Sequence, residues 1–242
     1  MTSISHARRR RARGRFLAPF VAAFCLSSLV SLTSLGREKS ENGLASDKGK
    51  LRILVNGMQA GEEEYDISQG GGGWVAHGSS QLQTAQGTEK VSGTLSLRDD
   101  GTPIHYEWNT QGAKRASSTV DFNGTSVTAE LHLEGMRPYT QQFTFNSPRI
   151  LVLDNNLYHQ YDIVARLYNW EKKGPQTFSV LVPQEMTPGS ITVDSVGKQD
   201  FNGKNCDELV VKTEDLMVNV YVDGPRLIGI VVPASAVEIL RE

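Results

Sequence analysis

From residue 51 onward, apolar and polar side chains alternate with a period of two. Val91, Gly93, Leu95 and Leu97 form one such series. Ile104, Tyr106 and Trp108 follow, then Val120 and Phe122, then Val127, Ala129, Leu131 and Leu133, then Tyr139, Phe143 and Phe145. Successive side chains of a strand point to opposite faces, so each series predicts a strand with one dry face and one wet one. Between them, Asp99-Asp100-Gly101 and Asn123-Gly124 supply residues that tolerate positive φ in tight hairpins, which makes consecutive strands antiparallel neighbours in a meander. A second set of strands, 178–182, 206–213, 216–223 and 226–232, includes turns at Glu214-Asp215 and Asp223-Gly224-Pro225. Leu227, Ile228, Ile230, Val231 and Val232 leave no wet face there, as expected of a sheet covered on both sides.

One stretch has a different period. Over residues 156–170, Leu157, Tyr161, Val164, Ala165 and Tyr168 recur at helical spacing behind the capping candidates Asn155 and Asn156, and Ile163, Leu167 and Trp170 add a second stripe. A helix apolar around so much of its circumference belongs against a sheet or in the wall of a cavity. Gly70 to Gly73, just before Trp74, read as a flexible loop. The expected fold is mainly β: a curved antiparallel meander, half-barrel or open barrel, with one central helix, and no repeat of solenoid length.

The N-terminus changes the setting of that domain. Arg8, Arg9, Arg10, Arg11, Arg13 and Arg15 lie within residues 1–36, which hold no acidic residue, and residues 16–35 carry no charge at all. Twenty residues of helix span roughly 30 Å, the hydrocarbon thickness of a bilayer. A basic segment followed by an apolar one is also the pattern of a secretory signal, whose apolar core is about 7 to 15 residues. Residues 1–36 are therefore expected to be a signal peptide or a membrane anchor, with Ser31 to Gly36 a small-residue region compatible with cleavage. Both readings keep the arginines inside and send the rest across. The expected location is the periplasm or the extracytoplasmic face of the inner membrane, or secretion if the leader is cleaved. Residues 37–50 are charged and lack apolar periodicity, so they read as a flexible linker, and 51–242 as a single β-rich domain.

Composition narrows the function classes. The net charge of −2 includes those six leader arginines, so the remainder is distinctly acidic, which argues against nucleic acid as a partner. Cys25 follows Phe24 rather than a small residue, against lipidation, and Cys206 has no partner outside the leader, which excludes a disulfide framework.

Candidate chemistry is sparse. His105 and Glu107, like His132 and Glu134, fall on one side of their strands, a donor set acceptable to zinc or iron. The alternation, however, puts both histidines on the polar face, as ordinary exposed residues. No Gly-x-Ser-x-Gly turn or phosphate-binding glycine loop occurs, and Ser79 and Ser80 read as strand residues. Asp99-Asp100 and Glu214-Asp215 sit at hairpin tips, where acidic residues serve turn geometry, and the run Glu62, Glu63, Glu64 reads as a solvated edge. No catalytic residue, no metal site and no cofactor is expected, and the chain is not read as an enzyme.

The surplus is aromatic. Most of these rings are expected to be ordinary core, but Trp108, Phe143, Phe145, Tyr161, Tyr168 and Trp170 are the candidates for lining a pocket for an apolar ligand, since barrel-like sheets with a helix across the mouth are common places for one.

A leader, a long antiparallel meander, a central helix and further strands ending in Val232-Pro233-Ala234-Ser235-Ala236-Val237-Glu238-Ile239-Leu240 together resemble the half-barrel of lipoprotein-localisation factors of the LolA and LolB type. The likeness covers about residues 51–242 and lies in the layout rather than in a motif. It implies acyl chains held between sheet and helical lid. The leading expectation is thus an exported envelope protein that binds or shuttles an apolar, lipid-like ligand, with the membrane a partner through residues 16–35 if the leader stays. The alternative is a membrane-tethered structural or adaptor domain whose surface edge strand binds a protein partner not identifiable from the residues.

Overall fold

The computed structural model describes residues 43–242 except Lys114. The leader and residues 37–42 of the expected linker lie outside that range. Among the described residues no helix is long and apolar enough to cross a membrane.

Among the described residues, fifteen strands form one sheet. The first eight are β1 (Asp47–Val55), β2 (Met58–Gly70), β3 (Gly73–Thr84), β4 (Gly87–Leu97), β5 (Pro103–Gln111), β6 (Ala116–Asn123), β7 (Ser126–Leu133) and β8 (Tyr139–Thr144). After β9 (Ile150–Val152) and the helix α1 (Gln160–Leu167) come β10 (Gln176–Val182), β11 (Thr187–Phe201), β12 (Lys204–Lys212), β13 (Met217–Asp223), β14 (Arg226–Val232) and β15 (Val237–Arg241). The spatial order is β8-β7-β6-β5-β4-β3-β2-β1-β15-β14-β13-β12-β11-β10-β9. Two meanders are thus joined where the first strand pairs with the last, Ile53 opposite Ile239. All pairings are antiparallel except β9 with β10. The sheet does not close, and its edges are β8 and β9.

The period-two series form strands as expected, and most of their apolar members face inward; Ile104, skipped by the register shift between β4 and β5, and Leu133 and Tyr139 are exposed. Val91, Leu95, Leu97, Tyr106, Trp108, Val120, Phe122, Val127 and Ala129 are all buried. Side chains from both meanders join α1 in one apolar cluster. The later strands are covered on the outer face as well. Phe201, at the end of β11, stacks on Tyr221 with centroids 4.2 Å apart and packs with Cys206 and Ile228 in a second, small cluster.

Three features depart from the sequence reading. The described domain reaches back to Gly43, with Leu44 fully buried and β1 starting at Asp47, inside the stretch read as linker. The glycine run is a tight hairpin rather than a loose loop: Gly70 pairs with Gly73, and Gly71 and Gly72 take φ of 60° and 86°. Two successive positive-φ residues match the right-handed twist of the flanking strands, and glycine adopts them without steric cost.

The helix is also shorter than 156–170. It starts at Gln160: the N–H groups of Tyr158 and His159 donate to the Glu63 carboxylate, and three-residue turns from Leu157 to Gln160, Tyr158 to Tyr161 and His159 to Asp162 precede the α-helical ladder. It ends at Leu167, after which Tyr168 is extended with ψ of 131°. Asn155 and Asn156 do not cap it, since His159 precedes its first residue and makes no side-chain cap.

Candidate functional site: a buried polar latch and the cleft beside it

Residues 153–168 cover the inner face of the sheet, and polar side chains hold them there. The first contact is made by β2. In its alternation Gly61, Glu63, Tyr65 and Ile67 fall on one side, so the middle glutamate of the acidic run points inward and is fully buried. This corrects its reading as a solvated edge. Its carboxylate accepts hydrogen bonds from the backbone N–H of Tyr158 at 2.7 Å and of His159 at 3.3 Å, and lies 2.5 Å from His159 Nδ1. The chain approaches β3 so closely that Gly78 leaves no room for a side chain: a Cβ there would overlap the His159 ring and crowd Glu63.

A second contact runs through β5. The Tyr106 hydroxyl donates to Asp154 Oδ2 at 2.7 Å and accepts from Gln160 Nε2 at 3.2 Å. The Gln184 N–H donates to Asp154 Oδ1 at 2.8 Å. Burial pushes the Asp154 carboxyl up to about 7, against the pull of those two hydrogen bonds. Burial and the Asp154 charge likewise raise Tyr106. Here too a glycine makes room, since a Cβ on Gly93 would meet the Tyr106 hydroxyl and Leu157.

A third contact ties α1 to both ends of the described chain. Arg166 bridges to Asp162 at 2.8 Å, one helical turn away, donates to the Ala45 carbonyl at 2.6 Å and approaches Asp47 at 3.6 Å. Arg241 in β15 grips Asp47 through both terminal nitrogens, at 2.7 and 2.8 Å. The Tyr65 hydroxyl donates to the same carboxylate at 2.9 Å. Burial works against the Asp47 charge, but hydrogen bonds from Arg241 and Tyr65 and the nearby guanidinium charges hold its pKa below the usual value. Asp162 goes the other way: burial pushes it up to about 6 despite Arg166.

A cleft of about 340 Å³ opens beside this third contact, lined by Gly43, Asp162, Ala165, Arg166, Trp170, Asp207, Val222, Gly224 and Pro225. Two buried polar atoms of its lining residues, Asp162 Oδ1 and Arg166 Nε, have no hydrogen-bond partner among the described residues. Native interiors pair nearly all such atoms, so each calls for a partner such as a water or a ligand.

The six aromatic candidates separate at this point. Trp108, Phe143, Phe145 and Tyr168 are buried in the main apolar cluster, with Tyr161 and Trp170 packed against it. Tyr168 meets Trp170 edge to face at 5.1 Å. Trp170 borders the 340 Å³ cleft, and its indole N–H donates to the Ala165 carbonyl at 2.9 Å. The other five line neither this cleft nor a more polar one of about 890 Å³ around Arg149, Lys172 and Phe178. Trp108 carries one further signal: its Nε1, with Ser118 Oγ at the paired position of β6 and Ser80 Oγ on β3, is buried without a partner among the described residues.

The histidines of the polar face behave as the alternation implies. His105 Nδ1 lies 2.7 Å from Asp121 and its Nε2 3.0 Å from Glu107, while His132 pairs with Glu130 at 2.7 Å. Among the described residues no group of His, Cys, Asp and Glu is arranged to hold a metal ion. No protein-family model matches the chain, and no curated protein matches it.

Proposed function

We propose that this is an exported, non-enzymatic binder of a small amphiphile, built as a half-barrel whose own 153–168 segment fills the inner face, with the ligand taken in the cleft beside α1. The observation that supports this most is the pairing of an apolar wall with unsatisfied polar atoms. Trp170, Ala165, Val222 and Pro225 offer carbon surface, and beneath it Asp162 Oδ1 and Arg166 Nε are buried without a partner among the described residues, within a ligand's reach once the side chains over them move aside. A hydroxyl fits both, donating to the carboxylate and accepting from the guanidinium. The volume of about 340 Å³ lies at the lower end of the roughly 300–1,000 Å³ typical of ligand sites, which favours a short apolar body or the head-proximal part of a longer chain. In this reading residues 1–36 deliver the domain across the membrane, and Tyr161, Tyr168, Phe143, Phe145 and Trp108 shape the support behind the site rather than its lining.

The test uses the gently purified full chain. Mass spectrometry of an organic extract should identify a stoichiometric amphiphile, and the stripped protein should bind a short-chain alcohol with a change in Trp170 fluorescence. Ala165→Leu, which fills the cleft, should abolish that binding in protein that still unfolds cooperatively, at a lower midpoint because Ala165 is buried. No extractable molecule, together with alcohol binding that Ala165→Leu leaves unchanged, overturns the reading. N-terminal sequencing of the mature protein tests the fate of the leader.

A further inference from the structure

The two edges of the sheet are treated differently. β9 is three residues long, and Ile150, Leu151 and Val152 are all buried, so it presents no accessible template. β8 spans six residues, and four of them are exposed, Tyr139 at 55 %. Natural edge strands are blunted by charges, internal prolines, bulges or shortness. β8 has none of these. Residues 138–148 carry no charged side chain, with prolines only at the two ends, and the β7–β8 register runs without a bulge.

The register also shows which backbone groups are left over. The Phe145 N–H donates to the Thr125 carbonyl, and the pairing continues with Val127 opposite Phe143 and Leu131 opposite Tyr139. Hydrogen-bonded pairs alternate along an antiparallel ladder, so the N–H and C=O of Thr140, Gln142 and Thr144 point away from β7 to the open edge.

We propose that this edge pairs with the same strand of a second copy of this chain, antiparallel across a two-fold axis at Gln142. What commits the site to a second copy is self-complementarity. Centred on Gln142, Thr140 falls opposite the partner's Thr144, so three residues on each side offer matching donors and acceptors. On the inner side Tyr139 falls opposite the partner's Phe145, which covers the exposed tyrosine ring with an aromatic neighbour, a favourable cross-strand pair. No charge meets its own image, whereas a strand bearing one would repel itself across such an axis. This interface is independent of the ligand cleft, whose lining residues lie at Gly43, on α1 and at Trp170 after it, and on β12, β13 and the turn after β13.

The experiment is cross-linking and sedimentation of the full chain in mild detergent, with the parent chain run alongside to account for Cys25 and Cys206. Gln142→Cys should give an oxidation-dependent covalent dimer of this chain, and Gln69→Cys at the exposed β2–β3 hairpin should not. Gln142→Lys, which sets two ammonium groups against each other, should raise the dimer dissociation constant about tenfold or more with an unchanged thermal melt. A chain that sediments as a monomer throughout, a dimer indifferent to Gln142→Lys, or Gln142→Cys cross-linking to a different protein or no better than Gln69→Cys, overturns the proposal.

Discussion

His105 and His159 both sit against carboxylates, in opposite settings. His105 lies on the outer face of β5 between Glu107 and Asp121, with the His side chain 35 % exposed and the two acids 63 % and 74 %. His159 meets Glu63 under the sheet, with the two side chains 1 % and 0 % exposed. Residue types and distances are nearly the same. The difference is what replaces the contact when it is lost: water and salt at the outer site, an unsatisfied polar group at the inner one. The outer cluster decorates the sheet, whereas the inner one holds the 153–168 segment in place.

The sharpest way to break the contrast is to remove one inner partner. Glu63→Ala strands the His159 ring and the N–H groups of Tyr158 and His159 together, and truncating one member of a buried pair costs about 3–5 kcal/mol. Urea unfolding should show that loss, and hydrogen exchange should show residues 153–168 opening before the β3–β5 meander. A loss below about 1 kcal/mol would place Glu63 with the outer acids.

A second test uses pH. Burial pushes the Asp154 carboxyl up to about 7 in the folded protein, against an ordinary value of 3.8. Between those values the folded state holds a proton that the unfolded state has released. Stability should therefore fall as pH rises from about 4 to 7 and level off above, by on the order of 3 kcal/mol from this group. Asp162, near 6, adds in the same direction. Asp47, with its lowered pKa, opposes it only at more acidic pH, where its stabilising contribution disappears as it protonates. The groups facing Asp154 are Tyr106, Gln160, Gln184 and, through its charge, Glu185. Asp154→Asn should remove most of the slope in urea midpoints between pH 4 and 7. An unchanged slope would assign it to other groups.

A third prediction concerns the glycine that admits the inner pair. Gly78→Ala should cost about 1–3 kcal/mol through overlap with the His159 ring and Glu63. Combined with His159→Ala, it should cost less than the two changes summed, because the second removes what the first collides with. Strict additivity would mean that the close approach seen at Gly78 does not limit the packing.

How much of this was legible in the sequence follows from the range of each interaction. The meander could be read because one wet face imposes alternation on every strand from Val91 to Leu133, and because the turn residues lie between the strands they join. Glu63 was misread because three consecutive glutamates mask the alternation that Tyr65 and Ile67 carry. Extending that period two residues back would have turned Glu63 inward. His159 gave no signal of its own: its partner is 96 residues away, and no local period relates them. Helical spacing over 156–170 overruns the helix at both ends, because the N–H groups of Tyr158 and His159 go to that distant carboxylate and the chain turns extended at Tyr168. Among the aromatics, Trp170 reached a cleft edge because the chain turns extended after Leu167, a turn that helical periodicity does not encode.

The smallest expected effect is at the outer site, and it completes the comparison. Burial works against charge on the His105 ring, but hydrogen bonds and charges from Glu107 and Asp121 outweigh it and raise its pKa. A cation favoured by folding adds stability below its unfolded pKa of about 6.5 and loses it as pH rises through the folded value. At this exposure the whole contribution should stay within about 1 kcal/mol and shrink in salt. Ring proton shifts in a 1H–13C NMR titration should therefore show His105 titrating above 6.5, and Asp121→Asn should lower that midpoint. His105→Ala should leave the urea midpoint almost unmoved at high salt. Were it to cost as much as Glu63→Ala, burial would not be what separates the two histidines, and the outer carboxylates would have to be holding something other than a solvated ring.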